Sequence, residues 1–178
     1  MKSLIYPSLE PSDYEGLNEL VHKELTDKTV IILTYYNSEN NQIRYLSEID
    51  LKEYDIKAKQ AWNQAYSNLD KIMDETKVDF LDIDGQMLGM LESHEPYKAS
   101  LILSTKLKDK VSKELGWPIY AVSPSRDFVY LFSKESGLMN KVGNVVVKEY
   151  KNSGYPISTE VCELSDSKQI AIGAYPIE

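Results

Sequence analysis

Apolar residues in this chain keep helical spacing in some stretches and strand spacing in others. Leu17, Leu20, Val21 and Leu25 recur on one face of a 3.6-residue period. Ser12 stands three residues before Glu15, the spacing of a capping box, so the pattern predicts a helix over 12–26. Thr29 to Tyr36 is a β-branched and aromatic run and reads as a strand. Asn37 to Gln42 is turn chemistry, and Ile43 to Leu46 reads as the returning strand. Ala58, Ala61, Trp62, Ala65, Leu69, Ile72 and Met73 then hold helical spacing over the longest helix signal in the chain. The stripe Trp62, Ala65, Leu69 and Ile72 is expected to pack on a sheet containing Val30, Ile32 and Leu101. Val78 to Ile83 and Gln86 to Leu91 flank Asp84-Gly85, a strong hairpin signal because both central residues of such a turn take positive φ.

The second half continues in the same way. Ser100 to Leu103 reads as a short apolar strand. Leu107, Val111 and Leu115 are spaced by four, and Gly116 and Pro118 stop that helix. Ile119 to Val122 and Phe128 to Phe132 read as strands around the turn Ser123-Pro-Ser-Arg-Asp127. Ser136 predicts the cap of a helix carrying Met139, Val142, Val146 and Tyr150, with Gly143 as its weak point. Strands over 157–164 and 169–174 close the pattern. Helices and strands mix without strict βαβ alternation. That predicts one α+β domain over 1–178, a mixed or antiparallel sheet with helices packed on it.

Composition narrows the function classes. The chain is 42% hydrophobic and 27% charged, ordinary for a folded domain. Its 20 Lys and Arg against 28 Asp and Glu leave a formal charge of −8, which gains nothing from counterion release on a phosphate backbone. No nucleic-acid partner and no anionic membrane are therefore expected. No apolar run approaches a membrane span and the first residues lack a signal-peptide core, so a cytoplasmic protein is expected. Cys162 is the lone cysteine, which excludes an intrachain disulfide and reads as a buried small hydrophobe in a strand.

Few residues offer chemistry. Phosphate-binding glycine loops, paired zinc cysteines and nucleophile elbows are absent from the sequence, and no cofactor is expected. The densest polar turn is Ser123 to Asp127. Arg126 there can offer a two-pronged fork to a carboxylate or phosphate, positioned by Asp127 and Ser125, or it can close the turn by pairing with Asp127. His94, between Glu92 and Glu95, reads as an oriented base, half of a metal site or a plain loop residue. Asp79, Asp82 and Asp84 form an acidic cluster that does not match a calcium loop, and no metal is expected. Lys106, Lys108, Lys110 and Lys113 spread around their helix with Asp109 and Glu114 interleaved and read as solvated surface. His22 reads as a surface or boundary residue. The 13 tyrosines suit an interface as well as a half-buried strand.

Several of these segments resemble the uncharacterised YtpQ-like family of bacterial proteins. Ala61-Trp-Asn-Gln-Ala65-Tyr-Ser-Asn68-Leu69, following Leu51 to Ile56, resembles its helix ending in A-x-x-N-L. Tyr97-Lys-Ala-Ser100-Leu-Ile-Leu103 is similar to its Y-x-A-S-L-L-L segment, Pro118 to Asp127 to its P-x-x-x-x-x-P-x-R-D segment, and Pro156-Ile-Ser158 to its late P-L-S element. Order and spacing agree over 29–172. His94-Glu-Pro96 departs from the glycine or acidic residues expected there, and the N-terminal portion is shorter. The resemblance implies a bacterial, cytoplasmic α+β protein and brings no activity.

The sequence therefore favours a non-enzymatic binding or interaction protein with a protein partner. The alternative is a small hydrolase or anionic small-molecule enzyme in which Arg126 holds the anion and Asp127 or His94 acts as acid or base. The two separate on geometry: Arg126, Asp127, Ser100 and His94 converging in one pocket favours the enzyme, and an engaged Arg126 favours the binding protein.

Overall fold

The first strand is one that the hydrophobic pattern does not announce. β1 (Leu4–Pro11) is buried from Ile5 to Glu10 and pairs antiparallel with β3 (Thr29–Asn37), Leu4 opposite Tyr36 and Pro11 opposite Thr29. The computed structural model describes residues 4–37, 39–40, 42–92 and 96–177. In it β1 is an edge strand of a four-stranded sheet, the position where prolines such as Pro7 are tolerated. β2 (His22–Glu24) and β4 (Gln42–Tyr45) pair in succession with β3, β2 against Val30 to Ile32 and β4 against Thr34 to Asn37.

The helix expected over 12–26 does not form. The Ser12 hydroxyl donates to Asp27 O and the Ser12 N–H to Lys28 O, both at 2.9 Å, so Ser12 closes a turn instead of capping a helix. Gly16 adopts φ +79°, and a single 3-10 turn over Leu17–Glu19 gives way to β2. Val21 N–H donates to Leu46 O at 2.8 Å while Val21 O accepts from Leu33 N–H at 2.9 Å. Sheet pairing thus outweighs a helical spacing interrupted by glycine.

α1 (Glu48–Glu53) starts at a reciprocal box: Asp50 N–H donates to Ser47 Oγ at 3.2 Å and Ser47 N–H to Asp50 Oδ2 at 2.7 Å. α2 (Ala58–Glu75) buries Ala61, Trp62, Ala65, Leu69 and Met73, as its spacing predicts, and Asn68 as well, while Ile72 of the expected stripe is only partly buried. Its partners sit one residue off the expected register. Trp62 and Ala65 pack with Ile31 and Leu33, not with Val30 and Ile32, while Leu69 does join Leu101 in the central cluster.

The second sheet has six strands in the order β10-β9-β7-β8-β6-β5, every neighbour antiparallel. They are β5 (Lys77–Ile83), β6 (Gln86–Glu92), β7 (Ile119–Ser125), β8 (Phe128–Ser133), β9 (Glu160–Leu164) and β10 (Gln169–Ala174). Asp84 and Gly85 take φ +54° and +78°, the hairpin geometry read from their identities. The central cluster, with Tyr97, Leu101, Val111, Leu131 and Cys162, buries one face of this sheet. α3 (Leu107–Leu115) contributes its three apolar residues there and ends at Gly116, φ +74°. The strand expected at Ser100 to Leu103 is instead a buried 3-10 turn over Ala99–Leu103. A short apolar run carries no period that separates the two.

Val122, Phe132 and Val161 on the opposite face pack with Leu138, Val142 and Val146, and α4 (Gly143–Asn152) covers β7 there. The helix expected from Ser136 is broken into a 3-10 turn over Gly137–Asn140 and α4. The Ser136 hydroxyl donates to Ser133 O rather than capping a helix. Gly143 sits where a Cβ would stand 2.8 Å from the Tyr175 ring. The fold is thus α+β, with antiparallel sheets and helices packed on them. Among the described residues no helix is long and apolar enough to cross a membrane.

Candidate functional site

Arg126 occupies the two-residue turn between β7 and β8, but it does not pair with its neighbour Asp127. Its Nη2 donates to Glu10 Oε1 at 2.8 Å and also to the Tyr45 hydroxyl. The Tyr45 hydroxyl donates to the same Glu10 oxygen at 2.8 Å, and the Ser8 hydroxyl does so at 2.6 Å. Arginine, tyrosine and serine thus converge on one carboxylate oxygen. β1 supplies Glu10 and Ser8, β4 supplies Tyr45, and the β7–β8 turn supplies Arg126, so the group joins the two sheets. Glu10 is 3% exposed and Arg126 21%. Arg126 Nε is buried without a hydrogen-bond partner among the described residues.

The backbone fixes this turn as firmly as the side chain does. Arg126 N–H donates to Tyr155 O at 3.2 Å, and Arg126 O accepts from Ala99 N–H at 3.1 Å. Ile157 N–H donates to Pro124 O at 2.9 Å. The guanidinium carbon lies 4.6 Å from the Tyr155 ring centre and 6.0 Å from that of Tyr45, whose ring is 4.9 Å from Tyr14. Tyr155 is 60% exposed, and Phe128, which pairs with Ser125 across the turn, is 42% exposed.

Electrostatics follow from burial. Burial works against the Arg126 charge, yet Glu10 and the nearby tyrosines outweigh it and hold the guanidinium pKa above its ordinary value. Burial and the Glu10 carboxylate raise the Tyr45 phenol well above its ordinary range, so it stays protonated and is no base. Burial pushes the Tyr97 phenol up as well.

The other residues singled out from sequence fall into different places. Ser100 is buried and its Oγ accepts from Leu9 N–H at 2.9 Å, so it secures β1. Ser125 is buried and accepts from Asp127 N–H at 3.4 Å, while Asp127 is exposed. His94 lies outside the described residues. His22 is on β2 with Nδ1 2.9 Å from Leu20 O. Asp82 accepts from Gly85 N–H at 2.6 Å, and Asp84 pairs with Lys141 at 2.8 Å, which lowers its pKa. Among the described residues no group of three His, Cys, Asp or Glu could hold a metal. The lysines of α3 are more engaged than a solvated surface requires. Lys106 pairs with Asp74, Lys108 with Asp166 at 2.9 Å, and Lys110 donates to Asp74 O and Thr76 O at the end of α2.

Sequence reading missed Glu10, Tyr45 and Tyr155, because nothing local marks residues that meet across 116 positions. It also missed the buried carboxylate of Glu160. The signal there was the alternation Ser158, Glu160, Cys162, which places three polar or small side chains on one face of β9 and its lead-in. Burial and Glu160 push the Cys162 thiol up to about 12, so it is an inert core group. Comparison of the chain with family profiles, curated proteins and solved structures finds no match.

Proposed function

We propose that this protein is a non-enzymatic binding protein of the bacterial cytoplasm whose contact surface is centred on the Arg126 turn. The observation that carries the reading is the arginine itself. It is held by Glu10 and Tyr45 beneath the exposed ring of Tyr155, with exposed Phe128 across the turn. Arginine and aromatic side chains on a rigid base are the residues over-represented at the energetic centres of protein interfaces. The rim of an acidic chain complements a basic partner surface, which favours a protein partner over nucleic acid.

Several observations weigh against the hydrolase alternative. Ser100 is committed to β1, Arg126 is already neutralised by Glu10, Tyr45 is a poor base and Cys162 a poor nucleophile. The YtpQ-like kinship belongs to the same proposal. Its motif residues make fold-defining contacts here: Asn68 Nδ2 donates to Ile5 O at 3.1 Å, and the Tyr97 hydroxyl accepts from Thr34 at 3.0 Å. A signature made of such residues supports a shared fold without a shared reaction.

The test is a double variant, Phe128→Ala with Tyr155→Ala. Both side chains are exposed, so the fold should hold within about 0.5 kcal/mol per site. A partner captured by the immobilised wild-type chain should bind the variant at least about tenfold more weakly by calorimetry, roughly 1.4 kcal/mol. An unchanged Kd with an unchanged melting temperature would remove the Arg126 surface from the reading.

A further inference from the structure

A second polar group lies inside the central core, away from the Arg126 turn. Ala121 and Ser123 of β7 line a small cavity with Glu160 and Cys162 of the neighbouring strand β9 and with Ser158 just before it, and Leu9, Leu25, Thr29 and Ile102 complete the lining. Strand alternation puts these side chains on one face, the face that is otherwise apolar. Three features need explanation. Glu160 is a buried carboxylate with no cationic partner among the described residues. Its donors are hydroxyls, Thr26 at 2.5 Å and Ser158 at 3.5 Å, and both reach Oε2. Ser123, 7% exposed, has its Oγ buried without a hydrogen-bond partner among the described residues.

We propose that this cavity is a built hydration site that holds one ordered water between Ser123 Oγ and Glu160 Oε1. Its volume of about 10 Å³ matches a single water and nothing larger. The Ser123 hydroxyl donates to the water oxygen, and the water donates to Glu160 Oε1, the carboxylate oxygen that neither Thr26 nor Ser158 reaches. The buried Ser123 hydroxyl then has a partner, as buried polar atoms in folded proteins nearly always do. Thr26 spends its single proton on Glu160 and accepts from Thr29, whose Oγ1 is 2.7 Å away. The water therefore completes a chain that ties the β2–β3 turn to β9 and β7. A divalent cation is the poorer occupant: one carboxylate and a protonated thiol fall short of the oxygen shell it requires.

The hydroxyl distinguishes a wet cavity from a dry one by the sign of an effect. If a water bridges Ser123 and Glu160, Ser123→Ala removes one of its anchors and the variant melts below the wild type. If the cavity is dry, the substitution removes an unsatisfied buried hydroxyl and the variant melts at or above the wild type. A high-resolution crystal structure of the wild-type protein supplies the direct reading, which stands even if the variant fails to fold. The expected result is density about 2.7–3.0 Å from both oxygens. An empty cavity overturns the proposal, as does density at about 2.3–2.6 Å, the distance of a calcium ion. A variant that melts no lower than the wild type overturns it equally.

Discussion

At the residue scale, the arginine read from sequence as a possible ligand-binding group is first of all an internal partner. Removing either member of a buried ion pair strands the other charge, at a cost of about 3–5 kcal/mol. Glu10→Ala and Arg126→Ala should each lower stability by about that amount in urea titrations, and their double variant should lose less than the two summed. Arg126→Lys should also lower it, because a lysine keeps the charge but loses the guanidinium plane that lies 4.6 Å from the Tyr155 ring centre. A melting temperature unchanged by Arg126→Lys would mean that the guanidinium adds nothing to the fold beyond its charge. Cys162 makes a separate prediction. With its thiol pushed up to about 12, it should react with a thiol reagent at neutral pH only after the protein is unfolded, and rapid labelling of the native chain would contradict its burial. Arg126 was visible in the sequence as a candidate contact because a polar turn between apolar runs stands out. Glu10 was not, since a glutamate between Leu9 and Pro11 looks like surface.

At the scale of elements, legibility depended on whether local pattern and tertiary demand agree. The Asp84-Gly85 hairpin and the α2 stripe were readable because turn chemistry and period are local. β1 was hidden by Pro7 and Pro11, which an edge strand accommodates. The false helix over 12–26 had both a capping box and an apolar period, yet its residues are needed as turn and strand beside β3. The α2 assignment carries its own test. Leu69 is fully buried in the central cluster, so Leu69→Ala should cost about 2–5 kcal/mol in chemical denaturation. α1 carries a pH test. The hydrogen bond from the Ser47 hydroxyl, with its backbone N–H and Arg44 in support, holds the Asp50 pKa below the ordinary carboxylate value. A group with a depressed folded pKa stabilises the protein above its unfolded pKa and loses that contribution as pH falls through the folded value. The gap in melting temperature between wild type and Asp50→Asn should therefore be widest near neutral pH and close in acid, below about pH 3.9. A gap independent of pH would remove the carboxylate from the account.

For the whole molecule, the fold class was readable from the mixture of periods, but the division into two sheets was not. Strand count and alternation say nothing about which strands are neighbours, and β7 joins β9 only after the 3-10 turn and α4 intervene. The break before α4 was foreshadowed by Gly143, where the ring of Tyr175, 32 residues on, leaves no room for a side chain. Gly143→Ala should displace that ring, weaken the 2.6 Å bond from the Tyr175 hydroxyl to Met139 O, and lower the melting temperature.

The tie between Glu10 and Arg126 also orders events in time. β1 is made well before the partners that satisfy it, which come from far along the chain: Ser100, which accepts from Leu9 N–H, and Arg126, which donates to the Glu10 carboxylate. While the ribosome is still short of the β7–β8 turn, the nascent chain carries an apolar edge strand whose carboxylate has no cation to meet. Such a segment is the kind that chaperones hold, because contacts between distant parts of a chain form slowly and leave strand edges exposed meanwhile. Synthesis arrested before Arg126 should leave β1 open to protease, and the same segment should become resistant once the turn has emerged.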